Sequence, residues 1–135
     1  MEKVTIYTDG GSKGNPGPAS VGVVIEYNGK EREYSKAIGE TTNNVAEYEA
    51  VIYAFKKVKH LIPTKERSGT HIAFYSDSEL LVSQINARYK VKSEELIPRF
   101  VSVWNAMQDF GEVSFTLVPR EKNEAADKLV NKALL

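Results

Sequence analysis

Val4-Thr5-Ile6-Tyr7-Thr8-Asp9-Gly10-Gly11, followed by Gly14-Asn15-Pro16-Gly17-Pro18, decides how the rest of the chain is read. Val4 to Thr8 are β-branched or aromatic, residue types that suit a pleated, half-buried surface, so the stretch reads as a strand. Asp9-Gly10-Gly11 is expected to end it, and the glycine and proline cluster at 14–18 to turn the chain. Val21 to Tyr27 reads as a second strand, and Asn28-Gly29 as a hairpin turn. Glu31 to Ile38, alternating and more polar, reads as a third, exposed strand. Links this short make the three strands antiparallel.

The hydrophobic period then lengthens. Ala46, Ala50, Val51, Ala54 and Val58 recur at helical spacing between Asn44 and His60. Asn44 is expected to cap this helix, with Glu47 as its partner three residues on. Pro63 to Gly69 reads as a polar loop and His71 to Ser76 as a fourth strand. Ser78 to about Arg88 reads as a helix with Leu81, Val82 and Ile85 on one side. Ser93 caps another helix, whose Phe100, Trp104 and Met107 are assigned to the core. Val113 to Val118 makes a fifth strand, and Asn123 to Leu134 a final helix. Strands joined through helices are parallel. The fold class is therefore α/β: a mixed five-stranded sheet, three antiparallel strands plus parallel ones, flanked by helices in one domain spanning 1–135.

Composition narrows the chemistry. The chain has 135 residues, 41% hydrophobic and 27% charged, enough for one buried core. No run nears the roughly 18 apolar residues of a membrane span. Met1-Glu2-Lys3-Val4 lacks the layout of a signal peptide. A monomer in the cytoplasm is the expectation. Cysteine is absent, which excludes disulfides, thiolate nucleophiles and cysteine-bound zinc. The two histidines, His60 and His71, are too few for an imidazole-built zinc site. Net charge is zero, unlike the usual sequence-independent polyanion binder, yet Lys56, Lys57, Lys59 and His60 cluster, as do Arg88, Lys90 and Lys92.

Three acids, Asp9, Asp77 and Glu47, fall where a stable fold alone would not need them, and Asp127 joins them as a fourth candidate. Asp9 and Asp77 close the first and fourth strands. Glu47 lies on the apolar stripe of its helix, and Asp127 in the first turns of the last one. Singly, each has a plain reading as a turn residue, capping partner or solvated acid. Ends of adjacent strands, however, are where ligand sites form in α/β sheets. Carboxylates brought together without an opposite charge repel, and no Lys or Arg immediately follows Asp9 or Asp77. A hard divalent cation would supply the missing charge, and oxygen-only ligation favours magnesium or manganese.

Together, four motifs resemble type 1 ribonuclease H over essentially the whole chain. They are Tyr7-Thr8-Asp9-Gly10-Gly11 with the turn at 14–18, Thr41-Thr42-Asn43-Asn44-Val45-Ala46-Glu47, Tyr75-Ser76-Asp77-Ser78, and Arg120 through Asn123 to Asp127, Leu129 and Asn131. The resemblance implies metal-binding catalytic acids at Asp9, Glu47, Asp77 and Asp127. It implies two magnesium ions, with manganese able to substitute, bridged by the scissile phosphate of an RNA–DNA hybrid. One ion would activate water and the other stabilise the leaving 3′ oxygen, giving 5′-phosphate and 3′-hydroxyl ends. Gly10, Gly11, Asn15, Asn43 and Asn44 would read RNA 2′ hydroxyls along the minor groove. Thr42 would help hold a phosphate of the DNA strand, and Ser78 and Arg120 would complete the substrate contacts.

The chain also departs from the family's pattern. Many members carry a histidine in the loop before the last acid; here Pro119-Arg120-Glu121-Lys122 has none, which implies turnover slower by ~10-fold or more. Arg120 or Lys122 would partly compensate at the phosphate. The basic protrusion of some members is reduced to Arg88-Tyr89-Lys90-Val91-Lys92, which implies weak, salt-sensitive binding. Glu79 stands where others often place glutamine. The rival readings are a nuclease of the same fold acting on double-stranded RNA or nucleic-acid ends, and a non-catalytic nucleic-acid-binding module.

Overall fold

The computed structural model describes residues 2–134. Its strands are β1 (Glu2–Ser12), β2 (Gly17–Tyr27), β3 (Lys30–Thr41), β4 (Thr70–Ser76) and β5 (Glu112–Leu117). Its helices are α1 (Asn43–Leu61), α2 (Glu79–Ile85), α3 (Leu96–Met107) and α4 (Glu124–Ala133), with short 3-10 turns at Thr64–Gly69 and Arg120–Lys122. The sheet order is β3-β2-β1-β4-β5. β1 pairs antiparallel with β2 and parallel with β4, and β4 pairs parallel with β5, the mixed topology the sequence predicts. Asn28 and Gly29 both take positive φ, as a two-residue hairpin of this hand requires. Among the described residues no helix is long and apolar enough to cross a membrane.

The strand alternation sorts side chains onto two faces. Val4, Ile6, Val23, Ile25, Ile72 and Phe74 pack with Val51, Ala54, Phe55 and Val58 of α1 in the main core. The other face of β1 and β2 is covered by α4. Glycines set how closely the helices approach. A Cβ on Gly10 would lie 2.2 Å from Ala46 O of α1, and one on Gly22 would lie 2.3 Å from Ala126 O of α4. The sequence therefore seats one helix on each side of the same two strands.

Several boundaries differ from expectation. Asp9, Gly10 and Gly11 do not end β1, because β2 continues beside them through Asp9↔Gly22 and on to Ser12↔Ala19. The cap of α1 is Thr42, whose Oγ1 accepts from Val45 N at 3.3 Å, rather than Asn44. Glu47 is not its capping partner. α2 stops at Ile85, short of Arg88. Trp104 is not in the core but 52% exposed. The main neighbour of α3 is α1, and the stripe that packs there is Leu96, Phe100, Val103 and Met107. Ile97, Val101 and Trp104 form a second apolar stripe turned to solvent.

Candidate metal centre

β1 is the pivot between the antiparallel and parallel halves of the sheet, and the site opens where that pairing changes. β4 leaves β1 after Tyr7↔Tyr75, while β2 stays paired beyond it. Asp9 lies two residues past Tyr7 and Asp77 two past Tyr75, so the register carries both acids to the same level. Glu47 arrives from α1, whose first turn rests on the bare backbone of Gly10. The Gly10 N–H donates to Glu47 Oε1 at 2.9 Å, so the same glycine admits the helix and anchors its acid. One carboxylate oxygen from each of Asp9, Glu47 and Asp77 lies within 4.8 Å of the others.

Asp127 comes in from α4. Asn123, 1% exposed, donates through Nδ2 to Thr8 O at 2.9 Å, tying the start of α4 to the residue before Asp9. One turn later Asp127 N donates to Asn123 O. Asp127 lies outside the mutual cluster of three but close enough to Asp9 to repel it. Its Oδ2 also accepts from Asn131 Nδ2 at 3.5 Å.

Asp9 and Glu47 hold protons more tightly than isolated carboxyls do. Asp9 is pushed up to about 8, first by burial and then by the charges of Asp77 and Asp127, with the Gly10 N–H pulling the other way. Burial, then Asp9 and Asp77, raise Glu47 well above the ordinary range, against Gly10 N–H and Arg120. Arg120 sits with Nε 3.9 Å from Asp77 Oδ2 but is 87% exposed, so solvent screens much of its charge. The cluster therefore lacks a full counter-charge. An all-oxygen donor set that repels itself fits a hard divalent cation.

The acids floor an open cleft of ≈ 910 Å³, also lined by Gly10, Gly11, Asn43, Arg120 and Asn131. The other expected substrate residues serve the fold in visible ways. Asn15 Oδ1 accepts from Asn43 N at 2.9 Å, and Asn43 Oδ1 accepts from Ser12 N at 2.9 Å, which ties the turn after β1 to the start of α1. Thr42 caps α1, and Asn44 is exposed beside it. Ser78 caps α2 through Leu81 N and does not line the cleft. The structure adds residues that sequence reading passed over. Lys13 lines the cleft and donates to Leu134 O at 3.1 Å. Asn123 read only as the start of a helix. Its motif position was visible, its burial against Thr8 was not. His71 is no substitute for the missing loop histidine: it lies at the far end of β4, near Glu112 and Ser114.

Comparison with known proteins agrees with this geometry. A family model described as reverse transcriptase-like matches residues 7–133. The chain is 38% identical over 135 residues to a bifunctional protein of Mycobacterium tuberculosis, covering 98% of this chain and 35% of that protein. It is 36% identical over 134 residues to ribonuclease HI of Halobacterium salinarum, covering 98% and 64%. A ribonuclease H1 solved in complex with an RNA/DNA hybrid superposes with a TM-score of 0.86 at 42% identity, covering 96% of this chain and 95% of that one. The chain spans about a third of the mycobacterial relatives and under two thirds of the archaeal one. With a family model matched nearly end to end and the same sheet carried by its structural neighbours, the chain belongs to the type 1 ribonuclease H family of reverse transcriptase-like domains.

Proposed function

We propose that the protein is an endoribonuclease that hydrolyses the RNA strand of RNA–DNA hybrids, leaving 5′-phosphate and 3′-hydroxyl ends. The observation that carries this reading is the set of three carboxylates converging within 4.8 Å where β4 parts from β1, with no full counter-charge. Asp9, Glu47 and Asp77, with Asp127 beside Asp9, would hold the metal. Two magnesium ions, or manganese in their place, would supply Lewis-acid polarisation of the phosphate and a bound water of lowered pKa. The chain's own residues do the rest. Gly10 holds Glu47 in place by its N–H, and Asn123 sets the start of α4 so that Asp127 faces Asp9. Arg120 is exposed at the rim beside Asp77, placed to meet a phosphate oxygen. The backbone of Gly10 and Gly11 and the first turn of α1 at Asn43 and Asn44 present a short polar edge suited to ribose 2′ hydroxyls. The cysteine-free sequence suits a monomer working in the cytoplasm.

The test is cleavage of end-labelled RNA–DNA hybrid, RNA–RNA and DNA–DNA duplexes, each with magnesium, with manganese and with chelator. Metal-dependent cutting of the RNA in the hybrid is the expected result. Asp9→Asn and Asp77→Asn are expected to abolish it while the circular dichroism spectrum stays native. Near-normal rates in both variants would sink the site assignment. Hybrid binding without cleavage under any metal would replace the nuclease with a binding module.

A further inference from the structure

Strand β3 carries a charge pattern that the catalytic cleft does not use. Its sequence Lys30-Glu31-Arg32-Glu33-Tyr34-Ser35-Lys36 alternates, and the pleat separates the alternation by face. Lys36 is in register with Val21, and Val21 with Gly10, which puts Lys36, Tyr34 and Arg32 on the α1 side. Glu31 and Glu33 fall on the opposite, α4 side, with Glu26 across from Glu31. On the α1 side, Tyr34 meets Tyr53 of α1 edge-on at 6.4 Å. Lys57 Nζ lies 5.1 Å from the Tyr34 ring and 5.2 Å from the Tyr53 ring, and Lys36 Nζ lies 5.7 Å from the Tyr53 ring.

This ledge is cationic without acid partners. Among the described residues, the ion pairs within 4.0 Å are Lys59–Asp109, His71–Glu112, Arg99–Glu49 and Arg120–Asp77. None involves Arg32, Lys36 or Lys57, and Glu49, the nearby acid on α1, is taken by Arg99. Arg32 Nη1 is buried with no hydrogen-bond acceptor. Two ammonium groups held over aromatic faces, beside a guanidinium that makes no ion pair, form an acceptor-poor surface, which is what a run of phosphate oxygens would satisfy.

Position favours nucleic acid as the partner. Lys36 is level with Gly10, the neighbour of Asp9, and two strand spacings away, about 10 Å. That is roughly three nucleotides of rise at about 3.4 Å each.

From this placement we infer that Lys36 and Lys57, mounted on Tyr34 and Tyr53, with Arg32 on the same face of β3, form a second docking point for the phosphodiester backbone of a duplex whose scissile bond lies at the acid cluster. The inference rests on the nuclease reading for its choice of duplex. The ledge sets how tightly the substrate is held and takes no part in bond cleavage.

The experiment is equilibrium binding in chelator, which prevents cutting, with an 18-base-pair RNA–DNA hybrid and an 18-base-pair DNA duplex as probes (lengths of roughly two helical turns at about 10 base pairs each). The variants are Lys36→Glu/Lys57→Glu, the milder Lys36→Gln/Lys57→Gln, and a control, Lys3→Glu/Lys65→Glu, that makes the same change of net charge at the far end of the sheet. The ledge reversal is expected to weaken hybrid binding about tenfold or more at low salt. The neutral pair is expected to flatten the dependence of log affinity on log salt by about two, near 0.9 per lost phosphate contact. The far-end control is expected to do much less, and kcat at saturating hybrid is expected to stay at the wild-type value. Equal losses in ledge and control variants would mean a net-charge effect and overturn the inference. So would unchanged affinity in both ledge variants, which would leave an acidic protein surface as the ledge's partner. Wild-type protein that binds duplex through the ledge but never cuts would uphold the docking point and refute the nuclease reading. Wild-type protein that binds neither probe would refute both.

Discussion

Asp9 is held among like charges, and its proton should report on them. In the folded, metal-free protein it keeps its proton up to about pH 8, against an ordinary value of 3.8. Between those limits the folded state binds more protons at this position than the unfolded state does. The stability linked to Asp9 is therefore fully present below pH 3.8 and is lost as the pH rises through about 8. Asp9→Asn removes the titration and the repulsion with Asp77 and Asp127. In chelator, its melting temperature is expected to exceed the wild-type value by several degrees at pH 8, at roughly 3–5 °C per kcal/mol of repulsion relieved. The gap is expected to shrink towards pH 5. Thermal melts of both proteins at the two pH values check this, and a variant that melts no higher than wild type at pH 8 would refute it. Added magnesium is expected to reverse the order, because on the proposed reading it stabilises only the protein that can hold it. Metal binding near pH 7 is also expected to release protons, measurable as a buffer-dependent enthalpy in calorimetry.

The elements hold the acids to different tolerances, which two substitutions separate. Gly10→Ala would set a methyl 2.2 Å from Ala46 O and 2.6 Å from Glu47 N, both backbone atoms of α1. The helix must back away, at a cost on the order of 1–3 kcal/mol, and it takes Glu47 with it. A displacement near 1 Å at a catalytic group can cost about 10²-fold in rate, so activity is expected to fall far more than stability. Thr42→Ala instead removes the cap of α1, for about 1 kcal/mol. Gly10 N–H still anchors Glu47, so the rate of the folded protein is expected to stay within a few-fold of wild type. Melting curves paired with single-turnover rates would distinguish the two, and equal rate losses would show that Gly10 does not position Glu47. The elements themselves were legible in the sequence because period two and period 3.6 are unambiguous over runs this long. Their edges were not. Where β1 ends depends on how far its partner β2 runs. The cap of α1 had to be chosen from Thr41-Thr42-Asn43-Asn44, where every residue can accept from a backbone N–H. Trp104 misled because α3 is apolar on two stripes and only one of them meets a neighbour. The acids could be picked out as residues, Asp77 from its strand end and Glu47 and Asp127 from their helices, while Asp9 was reached although its strand runs on to Ser12. Asn123 could not, because its role is a hydrogen bond to Thr8, 115 positions away.

Across the whole molecule the charges cancel in number but not in place. Acids gather where β4 parts from β1, cations rim that cleft at Lys13 and Arg120, and further cations line β3 and α1 at Arg32, Lys36 and Lys57. A neutral chain gains no general attraction to a polyanion, so its hold on a duplex must come from these local groups. Each phosphate neutralised contributes about 0.9 to the slope of log affinity against log salt. The two rim cations and the three of the ledge therefore set a slope no steeper than about −4 to −5. Between 50 and 200 mM salt such a slope weakens binding by roughly 10²- to 10³-fold. Under steady-state conditions KM is expected to rise by that factor while kcat barely moves, because the cations grip the backbone without acting on the scissile bond. Titrating salt against KM at fixed magnesium measures the slope directly. A slope steeper than about −7 would require cations outside the cleft and the ledge, such as the exposed Arg88, Lys90 and Lys92. One shallower than about −2 would mean that the rim alone touches phosphate, and that base and sugar contacts at the first turn of α1 carry the affinity.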